Sequence, residues 1–361
     1  MRALRQCTSA RYPARGMTEF RVSSWNELSE RLYAESWQAP LGRFRSHFAF
    51  RGMSDASADL TTSLVRLGGP FARQEGHILR NFRKYAHRDA VPLDSVWNWL
   101  SLGQHHGLPT RLLDWSFSPY VAMHFATQDL SSFDVDGVIA CIDYAAAHAI
   151  APTRLKRILR DEGADVFTAE MLDRVATTLP ALDKLGKRKP FVVFLEPPSL
   201  DDRIVNQSAL FSLMSSPSAS LDEWVAEHPE LFQRIVIPAE LKWEVRDKLD
   251  QANITERVLF PGLDGLSRLL KRYYSPRIEY ATEVSLPRRR GDDPDGEQHG
   301  EPLPASAGRD DGKTGNGATS SSPRRTARAA RRDDGGTSNG AAGGRRANPR
   351  STRSAPIRRG T

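Results

Sequence analysis

Apolar residues occur along this chain in two patterns, short runs and stretches with helical spacing. Alternation at residues 18–22 and short apolar runs predict six strands, at 18–22, 48–50, 138–142, 191–195, 235–237 and 258–260. Helical spacing predicts helices at 25–32, 73–88, 241–249 and 263–273, and a charged helical insertion at 145–189. Because strands and helices do not alternate regularly, we expect an α+β fold, a mixed sheet with several packed helices.

Polar, aromatic and turn-forming residues are most concentrated in the segment at residues 99–126. It predicts a helix, a loop, a strand and a second helix, in that order. Ser118 is the expected N-cap of the second helix, and Pro119 is expected at its first position, where the missing N–H costs nothing. A loop held between a strand and a helix start is a common place for a functional site.

Composition changes sharply at Pro287. The segment 287–361 has no Phe, Trp or Tyr and is rich in Gly, Ser, Ala, Pro and Arg, so it cannot bury enough apolar surface to offset its ordering entropy. We therefore predict a disordered leader at 1–16, a folded domain at 17–286 and a disordered tail at 287–361. The leader carries four Arg and no acidic residue, which loosely resembles a transit peptide, and Met17 is an alternative start.

The net positive charge of the chain comes from this tail. The tail holds 16 of the chain's 51 Lys and Arg and 9 of its 44 Asp and Glu, so 35 of each remain in the rest. Residues 323–361 include 11 Arg against two Asp, a composition that suits salt-dependent contact with nucleic acid or another polyanion. A solvated tail without a partner is equally compatible with it.

The sequence predicts no membrane span, no disulfide framework and no metal site. No apolar run approaches the roughly 20 residues of a membrane span. Cys7 lies in the leader and Cys141 in an apolar run, so no disulfide framework is expected and a cytoplasmic location fits. The adjacent His105 and His106 would splay apart in regular structure, and no Cys/His cluster has metal-ligand spacing, so we expect no metal site.

Six short motifs, in order, resemble the FRG domain family. They are FAFRG at 48–52, TTSLVR at 61–66, QHHGLPTRLLDWSFSP at 104–119, DGVI at 136–139, RIVNQSALF at 203–211 and LFPGLDGL at 259–266. The resemblance extends from about residue 20 to about residue 272. Most members of this family have no assigned biochemistry, so the resemblance implies membership and not a function.

A second resemblance concerns the order of three candidate catalytic residues. ADP-ribosyltransferases of the arginine–serine–glutamate type carry an early Arg at a strand end, a Ser-x-Ser strand end before a helix, and a late Glu. Arg51, Ser116 and Glu256 look similar in order and context. This resemblance implies an ADP-ribosyltransferase-like fold with NAD as cofactor: Arg51 would hold the pyrophosphate, Ser116 would fix neighbouring groups, and Glu256 would stabilise an oxocarbenium-like transition state. The residue two positions before Glu256 is Ile254, not the Gln or Glu of many active members, which leaves the target open.

Further polar and turn residues are candidates for ligand binding. Arg51 between Phe50 and Gly52 suits a phosphate or carboxylate, because its planar fork binds both oxygens and Gly lets the partner approach. Asp114 is a candidate general base or the partner of Arg111 in a structural ion pair, and the amides of Asn206 and Gln207 can contact a ligand or satisfy backbone groups. The candidate ligand-binding residues are Gly52, Gln104, His105, His106, Arg111, Asp114, Trp115, Ser118, Asn206 and Gln207.

Three functions fit these observations. The first is an NAD-dependent ADP-ribosyltransferase-like enzyme acting on a macromolecule, in a setting such as bacterial defence. The second is a module that binds a nucleotide or phosphorylated ligand without turnover. The third is a nucleic-acid-associated protein whose folded body is delivered by the Arg-rich tail.

Overall fold

The computed structural model describes residues 18–86, 91 and 93–276. The predicted leader at 1–16 and tail at 287–361 lie outside the described residues. Within them the chain forms a seven-stranded sheet and a separate two-stranded hairpin, β2 with β3. The strands are β1 (Thr18–Arg21), β2 (Trp37–Gln38), β3 (Arg43–Phe44), β4 (Phe48–Met53), β5 (Leu112–Ser116), β6 (Gly137–Asp143), β7 (Val192–Leu195), β8 (Ala209–Met214) and β9 (Phe232–Ile237).

The large sheet has the strand order β1-β9-β6-β4-β5-β8-β7. Strands β1 and β9 are parallel, and every other neighbouring pair is antiparallel. The sheet is therefore mixed, and the predicted α+β class is confirmed.

Helices cover both faces of this sheet. They are α1 (Trp25–Tyr33), α2 (Ser63–Arg66), α3 (Phe71–Tyr85), α4 (Val96–His105), α5 (Pro119–Ala126), α6 (Tyr144–Ala149), α7 (Thr153–Glu162), α8 (Ala169–Val175), α9 (Leu179–Leu185), α10 (Asp202–Asn206), α11 (Leu221–Glu227), α12 (Lys242–Gln251), α13 (Glu256–Leu259) and α14 (Leu263–Tyr273). Short 3₁₀ turns occupy Leu130–Ser132, Pro229–Leu231 and Ala239–Leu241.

Strand alternation divides the buried apolar side chains into different clusters. In β4, Phe50 packs with α1, α5 and α12, whereas its neighbour Ala49 packs in a second cluster with α6 and α11. A third cluster contains side chains from strands β5, β7 and β8 and from helices α3, α4, α7, α8 and α9. The predicted helical insertion thus contributes helices to the main core.

The start of α5 follows the sequence closely. Ser118 is its N-cap, and the hydroxyl accepts a hydrogen bond from Val121 N at 3.4 Å, with Pro119 at the first helical position. This arrangement is the predicted one, because both residues favour a helix start for local reasons.

Two local predictions are wrong. Arg51 does not end its strand, because β4 continues to Met53 in register with β6. Residues 258–260 do not form a strand, since Glu256–Leu259 is the short helix α13. An apolar run of three residues does not distinguish a strand from a buried helical turn.

The sheet opens between its two central strands. Strands β4 and β5 share only the pair Phe50 and Ser116. Beyond that point β4 stays paired with β6 as far as Met53, and β5 stays paired with β8 as far as Leu112. The two strands therefore diverge, and the gap is next to Arg51.

Gly52 lies where α5 crosses this gap. A Cβ atom on Gly52 would be 1.8 Å from the carbonyl oxygen of Ala122 and 2.7 Å from the backbone nitrogen of Ala126. Only a residue without a side chain lets the helix backbone approach so closely. The sequence predicts that Gly52 makes room for a ligand, and the structure shows that it also makes room for a helix.

Candidate functional site

A cavity of about 250 Å³ occupies the opening between β4 and β5. Its walls come from β4, β5, α4, α5, α10 and β8, so distant parts of the chain meet there. Eight of the predicted site residues line it, namely Arg51, Gly52, Gln104, His105, Asp114, Trp115, Ser116 and Gln207.

Arg51 is the main cationic group of this cavity. One of its Nη atoms donates a 2.6 Å hydrogen bond to the backbone carbonyl of Asp114, which the divergence of the strands leaves accessible. Its Nε has no hydrogen-bond partner, and no described carboxylate forms an ion pair with it. Burial lowers the pKa of Arg51, the charge of Asp114 acts in the opposite direction, and Arg66 lowers that pKa further. An anion in the cavity would therefore stabilise this guanidinium.

Asp114 presents the one carboxylate among the residues lining the cavity. Thr110 determines its orientation indirectly. The Thr110 hydroxyl accepts from Leu112 N, so its proton is donated to Gln104 Oε1 at 2.5 Å. This fixes the amide of Gln104, whose Nε2 donates to Asp114 Oδ2 at 2.9 Å. The other oxygen, Oδ1, remains available for a ligand donor.

Ser116 is engaged by the protein itself. Its hydroxyl donates to the carbonyl of Gln207 at 2.7 Å and accepts from Ser118 N at 2.9 Å. The hydroxyl thereby ties the turn before α5 to the turn before β8. In this geometry Ser116 shapes the cavity wall, and its proton is not directed toward a ligand.

Much of the apolar wall is aromatic. Trp115 is buried, and its indole N–H donates to the hydroxyl of Ser212 at 2.8 Å. Phe50, Phe125 and Phe211 also line the cavity, together with the aliphatic side chains of Val121, Ile204 and Ala209. Such walls suit a planar ring, because aromatic faces and edges pack favourably against other rings.

The two amides at the end of α10 hold helix α13. Asn206 Nδ2 donates to the carbonyl of Val258, and Gln207 Nε2 donates to the carbonyl of Leu259, both at 2.8 Å. They therefore satisfy backbone groups, the second of their two expected uses, although at a helix end and not at a strand start. Gln207 also lines the cavity, whereas Asn206 does not.

Glu256 is absent from the cavity wall. Its side chain is 6% exposed, and both carboxylate oxygens accept from Arg272, at 2.6 and 2.8 Å. Burial raises the pKa of Glu256, but the hydrogen bonds and charge of Arg272 outweigh burial and lower it to about 2. The structure does not bring Glu256 together with Arg51 and Ser116 in one cavity.

Arg111, His106 and Ser118 also lie outside this cavity wall. Arg111 is buried and pairs with Glu75 and Asp183, so it is not the partner of Asp114. His106 is exposed and packs edge-on against His105.

His105 lines the cavity and contacts the start of α10. Its Nε2 lies 2.6 Å from Asp201 Oδ2. Burial lowers the pKa of His105, and the charge of Asp201 partly offsets this effect.

Sequence reasoning missed Arg203, Phe125, Gln128 and Phe211, which also line the cavity. Arg203 lies within the motif at 203–211, but nothing in a one-dimensional pattern distinguishes a cavity-lining Arg from a solvated one. The four residues come from α5, α10 and β8 and from the turn after α5, so only the tertiary structure brings them together.

The described residues contain neither a metal-binding cluster nor a membrane-spanning helix. Within residues 18–86, 91 and 93–276, no three His, Cys, Asp or Glu side chains form a group suited to a metal ion. None of the helices described here is both long and apolar enough to cross a bilayer. Cys141 is buried, and burial raises the pKa of its thiol.

Comparison with known proteins identifies one domain. Residues 46–135 match the FRG domain family, a range that includes β4, α4, β5 and α5 and so much of the cavity wall. No curated protein and no solved structure matches the chain. The match covers the first three of the six motifs and leaves the three later ones outside it. With its Phe50-Arg51-Gly52 tripeptide in β4, this chain contains an FRG domain at residues 46–135.

Proposed function

We propose that this FRG domain binds a compact ligand of the nucleotide class, with Arg51 holding its anionic group. The observation that carries the proposal is the position of Arg51 in this cavity. Its Nε has no hydrogen-bond partner, and no carboxylate among the described residues forms an ion pair with its guanidinium. Arg binds phosphate and carboxylate through two parallel hydrogen bonds, and such charge-assisted bonds are stronger than neutral ones.

The size and lining of the cavity support a small ligand with a ring. Small-molecule sites typically enclose ~300–1,000 Å³. The cavity of about 250 Å³ lies just below that range, so it fits one ring system with a phosphate. Aromatic side chains supply much of the apolar wall, and Asp114 Oδ1 offers an acceptor for a ligand O–H or N–H.

NAD belongs to this ligand class, and ADP-ribosyl transfer to a macromolecule, as in bacterial defence, is the reaction that the order Arg51, Ser116, Glu256 suggests. The geometry favours binding over that reaction, because Arg272 holds both oxygens of Glu256 away from the cavity. Release of labelled nicotinamide from NAD by the purified protein would support transfer or hydrolysis in addition to binding. Binding without release would leave the FRG domain as a ligand-binding module.

Calorimetric titration of the full chain with AMP, and with adenosine as the uncharged comparison, tests the proposal. We expect Arg51→Ala to weaken AMP binding about tenfold to hundredfold, since a hydrogen bond to a charged group contributes ~1.5–3 kcal/mol. Arg51→Lys should recover only part of the loss, because a point charge does not reproduce the bidentate fork.

Arg157 supplies a matched control. It lies exposed on α7 and lines none of the described cavities, so Arg157→Ala should bind AMP like the unchanged chain. Equal AMP affinity of the Arg51→Ala variant and the unchanged chain would refute the proposal, provided that both variants unfold at the same temperature as the unchanged chain.

A further inference from the structure

The Arg51 cavity has a neighbour with which it shares two residues. The second pocket, of about 370 Å³, lies between the start of α10 and the start of α14. His105 and Arg203 line both cavities, so the two spaces adjoin at these side chains. A ligand longer than one nucleotide would reach both spaces by passing these two side chains.

Phe260 is an aromatic side chain that lines the second pocket. The guanidinium of Arg203 lies 5.1 Å and that of Arg268 lies 5.0 Å from the centre of the Phe260 ring. Both guanidinium groups lie over the ring, so the ring holds two Arg side chains on which a planar ligand group can stack while a neighbouring phosphate is neutralised.

Arg203 is located at the junction of the two cavities. Its one described side-chain hydrogen bond, from Nη1 to the carbonyl of His105, is long at 3.4 Å. Neither Arg203 nor Arg268 has an ion pair with a described carboxylate. Together with Arg51, these residues place three guanidinium groups along one path.

None of the three carboxylates that line this pocket, those of Asp201, Asp202 and Asp264, forms an ion pair with Arg203 or Arg268. Asp201 is already engaged on both oxygens, by His105 Nε2 at 2.6 Å and by Ile204 N at 3.1 Å. Asp202 and Asp264 are exposed, so solvent and salt screen their charges.

We propose that the second pocket is a subsite for the other half of a dinucleotide, with Arg203 binding the phosphate bridge and Phe260 and Arg268 binding the second ring unit. This inference rests on the proposed function, because Arg51 anchors the first half. The ligand class is thereby narrowed from a nucleotide to two ring units joined through phosphate.

Titration of the full chain with AMP and with NAD tests this subsite. The unchanged chain should bind NAD about tenfold or more tightly than AMP, since the added charge-assisted contacts each contribute at least ~1.4 kcal/mol. Arg268→Ala should remove about a tenfold advantage for NAD while AMP affinity stays within about twofold. Phe260→Leu keeps an apolar side chain of similar size and should lower the affinity for NAD selectively in the same way.

Arg257 on α13 provides the control, because it is exposed and lines neither pocket. Arg257→Ala should bind both ligands normally. Equal affinity of the unchanged chain for AMP and NAD, or equal losses for both ligands in Arg268→Ala, would overturn the subsite. Those outcomes leave the nucleotide proposal standing if Arg51→Ala still weakens AMP binding about tenfold or more. Failure of Arg51→Ala to change either affinity refutes the anchor itself.

Discussion

At the scale of single residues, the Phe-Arg-Gly tripeptide divides three tasks among neighbouring positions. Phe50 is 2% exposed and fills the core beneath α5, Arg51 reaches the cavity, and Gly52 allows the helix backbone to pass. Alternation along β4 makes this division possible, because successive side chains leave opposite faces of the strand. All three residues line the cavity, but Arg51 alone among them offers it a charged side chain, while Phe50 and Gly52 also serve packing.

Gly52→Ala is expected to destabilise the protein by about 1–3 kcal/mol or more, because its Cβ would overlap backbone atoms that cannot rotate away. The overlap is with the Ala122 carbonyl oxygen at 1.8 Å. Urea unfolding, followed by tryptophan fluorescence, measures the change.

Gly76 offers a control, because the same substitution there is expected to raise the stability of the protein. It lies exposed in α3, and a Cβ there meets nothing within 4 Å. Gly76→Ala should therefore stabilise the protein by roughly 0.5–1 kcal/mol, since Ala has the higher helix propensity. A Gly52→Ala variant as stable as the unchanged chain would show that α5 does not approach β4 as closely as described.

At the scale of elements, a buried ion network joins four helices. Arg272 of α14 binds Glu256 of α13 and Asp250 of α12. Arg246 of α12 donates to His124 Nδ1 of α5 at 2.8 Å. Burial, assisted by Arg246, lowers the pKa of His124 to about 3, so this imidazole is neutral at physiological pH and accepts that hydrogen bond. The network secures the helix that forms one wall of the cavity.

Glu256→Gln should cost roughly 3 kcal/mol, because it leaves part of a buried guanidinium uncompensated. AMP affinity should remain unchanged below the unfolding transition, since Glu256 does not line the cavity. Glu244→Gln breaks an exposed pair with Lys248 on α12 and should cost at most ~0.5 kcal/mol. Loss of ligand turnover without loss of stability in Glu256→Gln would instead favour a catalytic Glu256.

The ion pair between Glu256 and Arg272 also predicts that the stability of the protein decreases in acid. The pKa of Glu256 is lowered from 4.5 to about 2 on folding, so the folded state is favoured while the carboxylate is ionised. The contribution is complete above about pH 4.5 and is lost as the pH falls toward 2. In urea unfolding between pH 6 and pH 2.5, the Glu256→Gln variant should therefore show a smaller loss of stability than the unchanged chain. Parallel pH profiles for the two proteins would contradict this.

Element predictions succeeded where local chemistry determines the structure. The N-cap Ser118 and the helix Leu263–Tyr273 follow from a capping residue and from apolar spacing. Helix α13 was missed because its apolar residues are too few to show a period, and its two C-terminal carbonyls depend on amides about 50 residues earlier. Non-local partners of this kind leave no mark in a short sequence window.

At the scale of the whole molecule, the cavity could be predicted only in part. The segment 99–126 indicated Gln104, His105, Asp114 and Ser116, since turn and polar residues concentrate there. The opening between β4 and β5 could not be predicted, because it depends on strand pairing between residues 50 and 116. The ion pair between Glu256 and Arg272 could not be predicted either, since Arg272 lies 16 positions away in another helix.

The tail predicts a second, separable interaction of the whole chain. Residues 323–361 carry 11 Arg against Asp333 and Asp334, whereas the chain before Pro287 has equal numbers of acidic and basic residues. Binding of a single-stranded oligonucleotide should therefore fall steeply with salt, with a log–log slope near −4 if about six phosphates are neutralised. Fluorescence anisotropy between 50 and 300 mM salt measures that slope.

Deletion of residues 287–361 should abolish this polyanion binding while AMP affinity stays unchanged, because every residue that lines the Arg51 cavity precedes the deletion. Replacing the 11 Arg by Ser in the full chain separates charge from length and should have the same effect. Equal oligonucleotide binding by the shortened chain would assign the polyanion contact to the folded body, where the three guanidinium groups of the two adjoining pockets are the first candidates.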